Sequence, residues 1–91
     1  MANSDPGLFF SRRKIETWRA PREVLQKARR VIEKLENGLP YWKLHGKRLQ
    51  YDRCRISIPL GPHWRMLADD INGQLVVREI LSHQRYNIKH P

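Results

Sequence analysis

The chain is 91 residues long, and its 18 Lys and Arg residues against nine Asp and Glu residues give a formal net charge of +9 at pH 7. A chain of this length supports one small hydrophobic core, and it contains no run near the roughly 20 apolar residues that cross a bilayer. Its single cysteine, Cys54, excludes an internal disulfide, and its charge indicates an anionic partner, whether nucleic acid, an acidic protein or an anionic membrane.

Residues 1–20 are interpreted as an N-terminal lead. Their longest apolar run is Leu8–Phe10, and basic residues follow this run instead of preceding it. This order is the reverse of a signal peptide, so we expect a cytoplasmic protein. Leu8–Phe10 fits a flexible lead or a short first strand. The segment from Ser11 to Trp18 fits a short helix or an extended chain equally well.

A helix is predicted over residues 21–37. Apolar residues recur there at helical spacing and form one hydrophobic stripe, made of Val24, Leu25, Ala28, Val31, Ile32 and Leu35. Pro21 suits the first turn, and Asn37-Gly38 suits the C-terminal stop. The opposite face carries Arg22, Lys27, Arg29, Arg30 and Lys34. We interpret this basic face as solvated, with part of it available to an acidic partner.

Three strands are predicted after an irregular basic loop, at about residues 49–58, 63–69 and 75–81. The loop contains Lys43, Lys47 and Arg48. In the first strand the side chains alternate between two faces. One face carries Cys54, Ile56 and Ile58, and the other carries Arg53, Arg55 and Ser57. The alternation therefore predicts that Cys54 is a small core residue and not an exposed nucleophile.

The dipeptide Asn72-Gly73 is a strong hairpin signal, because both residues tolerate positive φ. If these two residues form the turn, Ile71 pairs with Gln74. Counting away from the turn along both strands then places Ala68 opposite Val77, Met66 opposite Glu79 and Trp64 opposite Leu81. The core face on which the helix packs is predicted to consist of Trp64, Met66, Ala68, Val77 and Leu81.

Together these elements predict an α+β domain over residues 21–91, with helices segregated to one side of an antiparallel sheet. The sheet is a three-strand meander, with or without a short extra N-terminal strand. One or two helices pack on one face of the sheet. The other face is predicted to present a row of arginines to solvent.

A basic and aromatic cluster is the main candidate for chemistry. Arg65 lies on the second predicted strand, and His83, Arg85 and Tyr86 follow the third. Cleavage of RNA by its neighbouring 2′-hydroxyl needs a proton acceptor, a cation for the phosphorane and a proton donor for the leaving oxygen. Histidine, tyrosine and arginine can supply these groups. The alternative interpretation is a solvated sheet edge followed by a frayed tail.

Five further basic residues are predicted to bind RNA: Lys43, Lys47, Arg48, Arg53 and Arg55. No metal is expected, since the four histidines have no paired ligand spacing and the sequence has no HExxH motif. The sequence also lacks a glycine-rich phosphate loop, and no cofactor is predicted.

Short motifs follow one another along the chain in a recognisable order. They are Lys43-Leu44-His45-Gly46, the segment Tyr51 to Ile56, Arg65-Met66-Leu67, the apolar strand Leu75 to Leu81, and His83-Gln84-Arg85-Tyr86. This order resembles the RelE/ParE superfamily of type II toxins over residues 21–87. The resemblance implies a small antiparallel sheet with two helices on one face. In the RelE branch it implies cleavage of mRNA in the ribosomal A site, with Arg65 on the central strand and His83 and Tyr86 at the terminal positions.

The resulting hypothesis is a toxin of a type II toxin–antitoxin pair that acts as a ribosome-dependent, metal-independent mRNA endonuclease and inhibits translation. Its expected partners are an acidic antitoxin and mRNA on the ribosome, with no membrane. Two alternatives stay open. One is a ParE-like inhibitor of DNA gyrase, and the other is a catalytically inactive RNA- or protein-binding domain on the same fold.

Overall fold

The computed structural model describes residues 6–89, so the first five residues of the predicted N-terminal lead and the last two residues of the chain lie outside it. In chain order the elements are helix α1 (Pro6–Arg12), helix α2 (Arg22–Glu36), a 3₁₀ turn (Tyr41–Leu44), strands β1 (Lys47–Arg48), β2 (Arg55–Pro59), β3 (Trp64–Ile71) and β4 (Gln74–Ser82), and helix α3 (His83–Lys89). The four strands form one antiparallel sheet in the order β1-β2-β3-β4. The predicted α+β class is confirmed.

Helix α2 lies within the predicted span. Its N-cap is Pro21 and its C-cap is Asn37, after which Gly38 takes a φ of 98° and donates its N–H to the carbonyl of Leu35. The predicted hydrophobic stripe lies against the sheet, with Ala28, Val31 and Ile32 buried and Val24, Leu25 and Leu35 partly buried. No helix within residues 6–89 has the length and apolarity that a membrane crossing requires.

The N-terminal part differs from the prediction of a first strand, because Leu8–Phe10 lies in helix α1. Phe9 and Phe10 are buried and join the core beside α2. After α1, the guanidinium of Arg13 donates two hydrogen bonds, of 2.9 and 3.1 Å, to the carboxylate of Glu36. Two helices therefore cover one face of the sheet, and an ion pair joins the segment that follows α1 to the last turn of α2.

The first predicted strand begins later than expected, and the prediction of a buried Cys54 is wrong. Cys54 is exposed and lies in a turn with Arg53, before β2 begins at Arg55. The side chain of Asp52 accepts the N–H of Cys54 at 3.2 Å, and its carbonyl accepts the N–H of Arg55 at 3.0 Å. An aspartate that bonds to the backbone two residues on favours a turn over a strand.

A short strand that the sequence did not predict completes the sheet. Strand β1 consists of two residues of the basic loop, with Lys47 opposite Ser57 and Arg48 opposite Ile56. Immediately before it, the backbone passes very close to its neighbours. A Cβ atom on Gly46 would lie 2.9 Å from the carbonyl oxygen of Tyr41 and 3.0 Å from a side-chain carbon of Ile58. Only glycine allows this approach.

The β3–β4 hairpin follows the predicted register near its turn and departs from it further on. Ile71 pairs with Gln74 and Ala68 pairs with Val77, as predicted. The next pair is Leu67 with Glu79, so Arg78 is an extra residue in β4. This β-bulge shifts the predicted pairs of Met66 and Trp64 by one position.

The bulge reverses one core assignment and defines the two faces of the sheet. Ile80 takes the core position that was predicted for Leu81. The helix-side face carries Ile56, Ile58, Met66, Ala68, Val77 and Ile80, under α1 and α2. The second face carries Arg55, Ser57, Arg65, Leu67, Asp69, Glu79 and Leu81. Leu81 is fully buried on this second face, which is therefore more than a solvated row of arginines.

Candidate functional site

Helix α3 continues directly from β4 and contacts β3 and β4. Its first turn is held by two hydrogen bonds. The N–H of His83 donates to the carbonyl of His63 at 2.7 Å, and the N–H of Arg85 donates to the hydroxyl of Ser82 at 3.1 Å. A serine hydroxyl in this position is a favourable helix N-cap. The segment that starts at His83 is therefore a capped helix and not a frayed tail.

Arg65 lies at the centre of the candidate site, on β3. Its guanidinium donates a hydrogen bond of 2.9 Å to the hydroxyl of Ser57, which is only 2% exposed. The same guanidinium lies 5.3 Å from the centre of the Tyr86 ring, within the range of a cation–π contact. The predicted proximity of Arg65 to the residues after β4 is confirmed for Tyr86.

Two more rings surround Tyr86. The imidazole of His83 is stacked with the Tyr86 ring, with the ring centres 6.5 Å apart. The hydroxyl oxygens of Tyr51 and Tyr86 lie 3.4 Å apart. This hydrogen bond is the main cause that raises the pKa of Tyr51 to about 12, and desolvation adds to it. Tyr51 is 61% exposed, so the tyrosine pair lies at the surface.

The fourth predicted catalytic residue, Arg85, has a different contact. Its guanidinium lies 4.0 Å from the centre of the Trp18 ring. The indole N–H of Trp18 in turn donates a hydrogen bond of 2.8 Å to Oε1 of Glu79. The structure therefore brings together Arg65, His83 and Tyr86 and places the Arg85 head group against the N-terminal part of the chain.

The predicted RNA-binding residues do not all lie on one surface. Lys43, Lys47 and Arg53 are exposed, and Lys47 shares the second face through its pair with Ser57. Arg48 points to the helix-side face, where it forms an ion pair of 2.8 Å with Asp70. This pair, together with the N–H of Gly73, lowers the pKa of the Asp70 carboxyl. Arg48 is therefore not part of the surface around Arg65.

Arg55 belongs to an ion-pair network on the second face. Its guanidinium lies 3.2 Å from one carboxylate oxygen of Asp69, and the guanidinium of Arg78 lies 2.8 Å from the other. One carboxylate thus neutralises part of the charge of two arginines. The surface that flanks Arg65 therefore carries less net positive charge here than the number of arginines in the sequence indicates.

Sequence reasoning missed two members of the site, Tyr51 and Ser57. Tyr51 lies in one of the quoted motifs, but its contact with Tyr86 spans 35 residues and has no local signal. Ser57 was assigned to the same face as Arg55, but the sequence predicted no register between β2 and β3. That register would have placed Ser57 near Arg65.

A large depression on the described surface lies away from this cluster. It has a volume of about 820 Å³ and lies between the end of α2, residues 38–42 and the β3–β4 hairpin. Its walls include Ile32, Leu35, Trp42 and Leu75, with the Arg13–Glu36 and Arg48–Asp70 ion pairs at its rim. Within residues 6–89, no three His, Cys, Asp or Glu side chains lie close enough to hold a metal ion together.

The family model of the ParE-like toxin domain matches residues 22–88. The chain belongs to this family. A ParE-like toxin domain of the RelE/ParE superfamily identifies a toxin of a toxin–antitoxin pair and implies an antitoxin as its partner, which confirms the resemblance found in the sequence. Neither the curated proteins nor the solved structures yielded a significant match to the chain. The match to the ParE-like toxin domain includes every predicted site residue and begins after Trp18.

Proposed function

We propose that this toxin cleaves mRNA on the ribosome without a metal and so inhibits translation. The observation that carries the proposal is the convergence of a guanidinium, an imidazole and two phenols on the second face of the sheet, around Arg65, His83, Tyr51 and Tyr86. These are the groups that RNA cleavage by a 2′-hydroxyl requires. Tyr51 and His83 are exposed and Arg65 and Tyr86 are partly exposed, which suits a long RNA chain better than a small, enclosed substrate.

In the proposed reaction, the 2′-oxygen forms a bond to the adjacent phosphorus while the bond from phosphorus to the 5′-oxygen breaks. The products are a 2′,3′-cyclic phosphate and a 5′-hydroxyl. One proton leaves the attacking hydroxyl, and one proton reaches the leaving oxygen. In our assignment, the imidazole of His83 accepts the first proton and the phenol of Tyr86 donates the second.

Arg65 is assigned to the phosphate. A guanidinium is permanently charged and binds two phosphate oxygens at once, so it stabilises the additional negative charge of the phosphorane. The hydrogen bond from Arg65 to buried Ser57 fixes the side chain before substrate binds. Such a fixed charge is more effective than one that must be reoriented during the reaction.

The strand is proposed to reach this cluster across the surrounding basic surface. Lys43, Lys47 and Arg53 are exposed, and Lys47 and Arg55 lie on the second face. Contacts of this kind hold phosphates without reading bases, which agrees with a substrate that the ribosome presents. We assign Arg48 to the fold instead, because Asp70 already neutralises it.

The antitoxin is proposed to be acidic. The exposed side of α2 carries Arg22, Lys27, Arg30 and Lys34 within 13 residues, and the whole chain has a net charge of +9. A partner of opposite charge would associate faster and would be sensitive to salt.

The test is an mRNA cleavage assay with programmed ribosomes. We expect wild-type protein to cut the mRNA, and Tyr86→Phe, His83→Ala and Arg65→Ala each to lower the rate by roughly 10²–10⁴-fold, the scale of one general acid, base or oxyanion group. Tyr41→Phe is the matched control, since Tyr41 packs against the helix-side core and should retain the wild-type rate. Cleavage at the wild-type rate by all three variants would contradict the roles assigned to Arg65, His83 and Tyr86.

The second candidate is inhibition of DNA gyrase by binding alone. The ParE-like description of the family favours this alternative, as does the position of Arg65, His83 and Tyr86 outside the walls of the 820 Å³ depression. Inhibition of gyrase supercoiling by the wild-type protein, together with no mRNA cleavage on ribosomes, would establish it. In that case, Tyr86→Phe should inhibit gyrase as well as the wild type does, because no proton transfer is involved.

A further inference from the structure

The segment between the first two helices runs along the outer edge of the sheet. We refer to residues 13–20 as the strap. The N–H of Glu16 donates to the carbonyl of Arg78 at 3.0 Å, and the carbonyl of Glu16 accepts the N–H of Ile80 at 2.8 Å. This single parallel bridge attaches the strap to β4 at the bulge. The strap thereby passes from the helix side of the sheet to the second face.

The backbone of the strap is unusual. Lys14, Trp18 and Arg19 have φ values of 56°, 50° and 57°, in the left-handed region that residues other than glycine rarely adopt. Two of these residues are consecutive and form the turn that presents the Trp18 side chain. Strained backbone of this kind persists where surrounding contacts require it, and it is enriched at functional sites.

Trp18 contacts two elements of the second face at once. Its indole N–H binds Oε1 of Glu79, a carboxylate-bearing residue that is only 8% exposed on β4. The face of the same indole lies against the guanidinium of Arg85 on α3. A buried carboxylate needs hydrogen-bond donors, and a guanidinium over an indole is the strongest common cation–π arrangement. The indole therefore joins β4 to α3.

Arg85 directly precedes Tyr86, whose ring and hydroxyl contact Arg65 and Tyr51. At its first turn α3 is fixed by the His63 carbonyl and the Ser82 hydroxyl. The contact with Trp18 adds a point of attachment one residue before Tyr86. A rotation of α3 about its capped end would separate Arg85 from Trp18 and Tyr86 from Arg65 together.

We propose that Trp18 is a positioning residue that holds α3 on the second face, so that Tyr86 stays against Arg65. The catalytic consequence rests on the proposed function, whereas the positioning of α3 does not. Trp18 lies before residues 22–88, where the ParE-like toxin domain matches, so the family match does not include this attachment.

The first measurement is amide hydrogen exchange of full-length protein, read on peptides from α3. Trp18→Ala should accelerate exchange of the α3 amides by roughly 2- to 30-fold, the factor expected for loss of one cation–π contact. Peptides from β2 and β3 should keep their wild-type rates, since the helix-side core is intact. Trp18→Phe keeps a ring under Arg85 and should restore most of the protection. Trp42→Ala is the matched control, because Trp42 is exposed and lies on the other side of the sheet.

The second measurement is the cleavage rate of the same variants. Trp18→Ala should lower kcat with little change in KM, and Trp18→Phe should recover most of kcat. If Trp18→Ala fails to fold, Arg85→Ala tests the same contact from α3 and leaves the bond between Trp18 and Glu79 in place. Accelerated exchange confined to α3, in protein whose wild type cleaves no mRNA, supports the positioning and rejects the proposed function. Exchange of α3 that matches the wild type in both Trp18→Ala and Arg85→Ala overturns the positioning itself.

Discussion

The two faces of the sheet are stabilised in different ways. On the helix-side face, residues such as Ile56, Ile58 and Met66 are completely buried under two helices. On the second face, buried Leu67 and Leu81 alternate with Ser57 and Glu79, and the covering is a short helix and a tryptophan. The first face is built from apolar area. The second combines two buried leucines with polar contacts that have defined directions.

This difference separates stability from function within a very small domain. Burial of apolar side chains contributes free energy in proportion to the buried area, and this contribution depends little on the direction in which each side chain points. A hydrogen bond or cation–π contact contributes less free energy but fixes the direction of a side chain. We therefore expect substitutions on the helix-side face to unfold the protein. Replacement of most polar residues on the second face should change its activity instead.

The largest effect on stability is expected from Ile32→Ala. Ile32 is 2% exposed on the buried side of α2, and removal of its side chain leaves a cavity against the sheet. The free energy of unfolding should fall by roughly 2–5 kcal/mol. Urea denaturation measures this change. Arg65→Ala, on the other face, should lose far less, and an equal loss in the two variants would contradict the contrast between the faces.

A smaller effect is expected in the titration of the tyrosine pair. The hydrogen bond with Tyr86 raises the pKa of Tyr51 to about 12, so in Tyr86→Phe the pKa of Tyr51 should return toward the ordinary value of 10.0. Tyr51 would then ionise at a lower pH than in the wild type. Absorbance of tyrosinate during alkaline titration measures the change, and the three tyrosines of the chain make single Tyr→Phe variants sufficient for assignment.

The control for this titration is Tyr41→Phe, which removes a tyrosine on the helix side. It should remove one ionising group and leave the high-pH step of Tyr51 in place. A Tyr86→Phe titration that still contains a step near pH 12 would show that the two hydroxyls do not interact in solution.

Asp69→Asn tests the network on the second face. The substitution removes the charge that pairs with Arg55 and Arg78. Because these ion pairs lie at the surface, the free energy of unfolding should fall by only about 0.2–1 kcal/mol. The freed positive charge should strengthen binding to single-stranded RNA at low salt. A loss of stability as large as that of Ile32→Ala would mean that the second face contributes to stability by ion pairing as much as the first does by burial.

The smallest effect is expected from Glu36→Gln. The guanidinium of Arg13 holds the pKa of Glu36 below its ordinary value of 4.5, so the pair stabilises the protein above that pH. This contribution is lost as the pH falls through the lowered pKa of the folded state. Melting temperatures of wild type and variant should therefore differ slightly at pH 7 and converge in strong acid. A difference that persists in acid would point to a cause other than the ion pair.

Local patterns predicted the parts of the fold that depend on neighbours in sequence. The stripe from Val24 to Leu35 fixed the buried side of α2, and Asn72-Gly73 fixed the first pairs of the hairpin. Alternation failed at Cys54, because the side chain of Asp52 bonds to the backbone and forms a turn there. Counting pairs away from the turn failed at Leu81, because the bulge at Arg78 shifts the register by one residue and the adjacent apolar residues Ile80 and Leu81 fit either face.

The candidate site was predictable in its residue types and less so in its geometry. Arg65, His83 and Tyr86 come together as expected, because β4 and α3 are continuous and β3 pairs with β4. The partners Tyr51 and Trp18 reach the site across 35 and 61 residues, in contacts with Tyr86 and Glu79. No periodic pattern records contacts over such separations, so only the folded chain reveals them.

The bulge in β4 has a consequence for the comparison of this chain with its relatives. Arg78 has no Cα partner in the register of β3 and β4, and the pairs on either side of it, Ala68 with Val77 and Leu67 with Glu79, would be adjacent in a regular ladder. A relative with an unbulged strand should therefore align with a gap of one residue at Arg78. An ungapped alignment would superpose Ile80 on a residue of the opposite face. A homology model built from that alignment would place the side chains at the end of β4 on the wrong faces of the sheet.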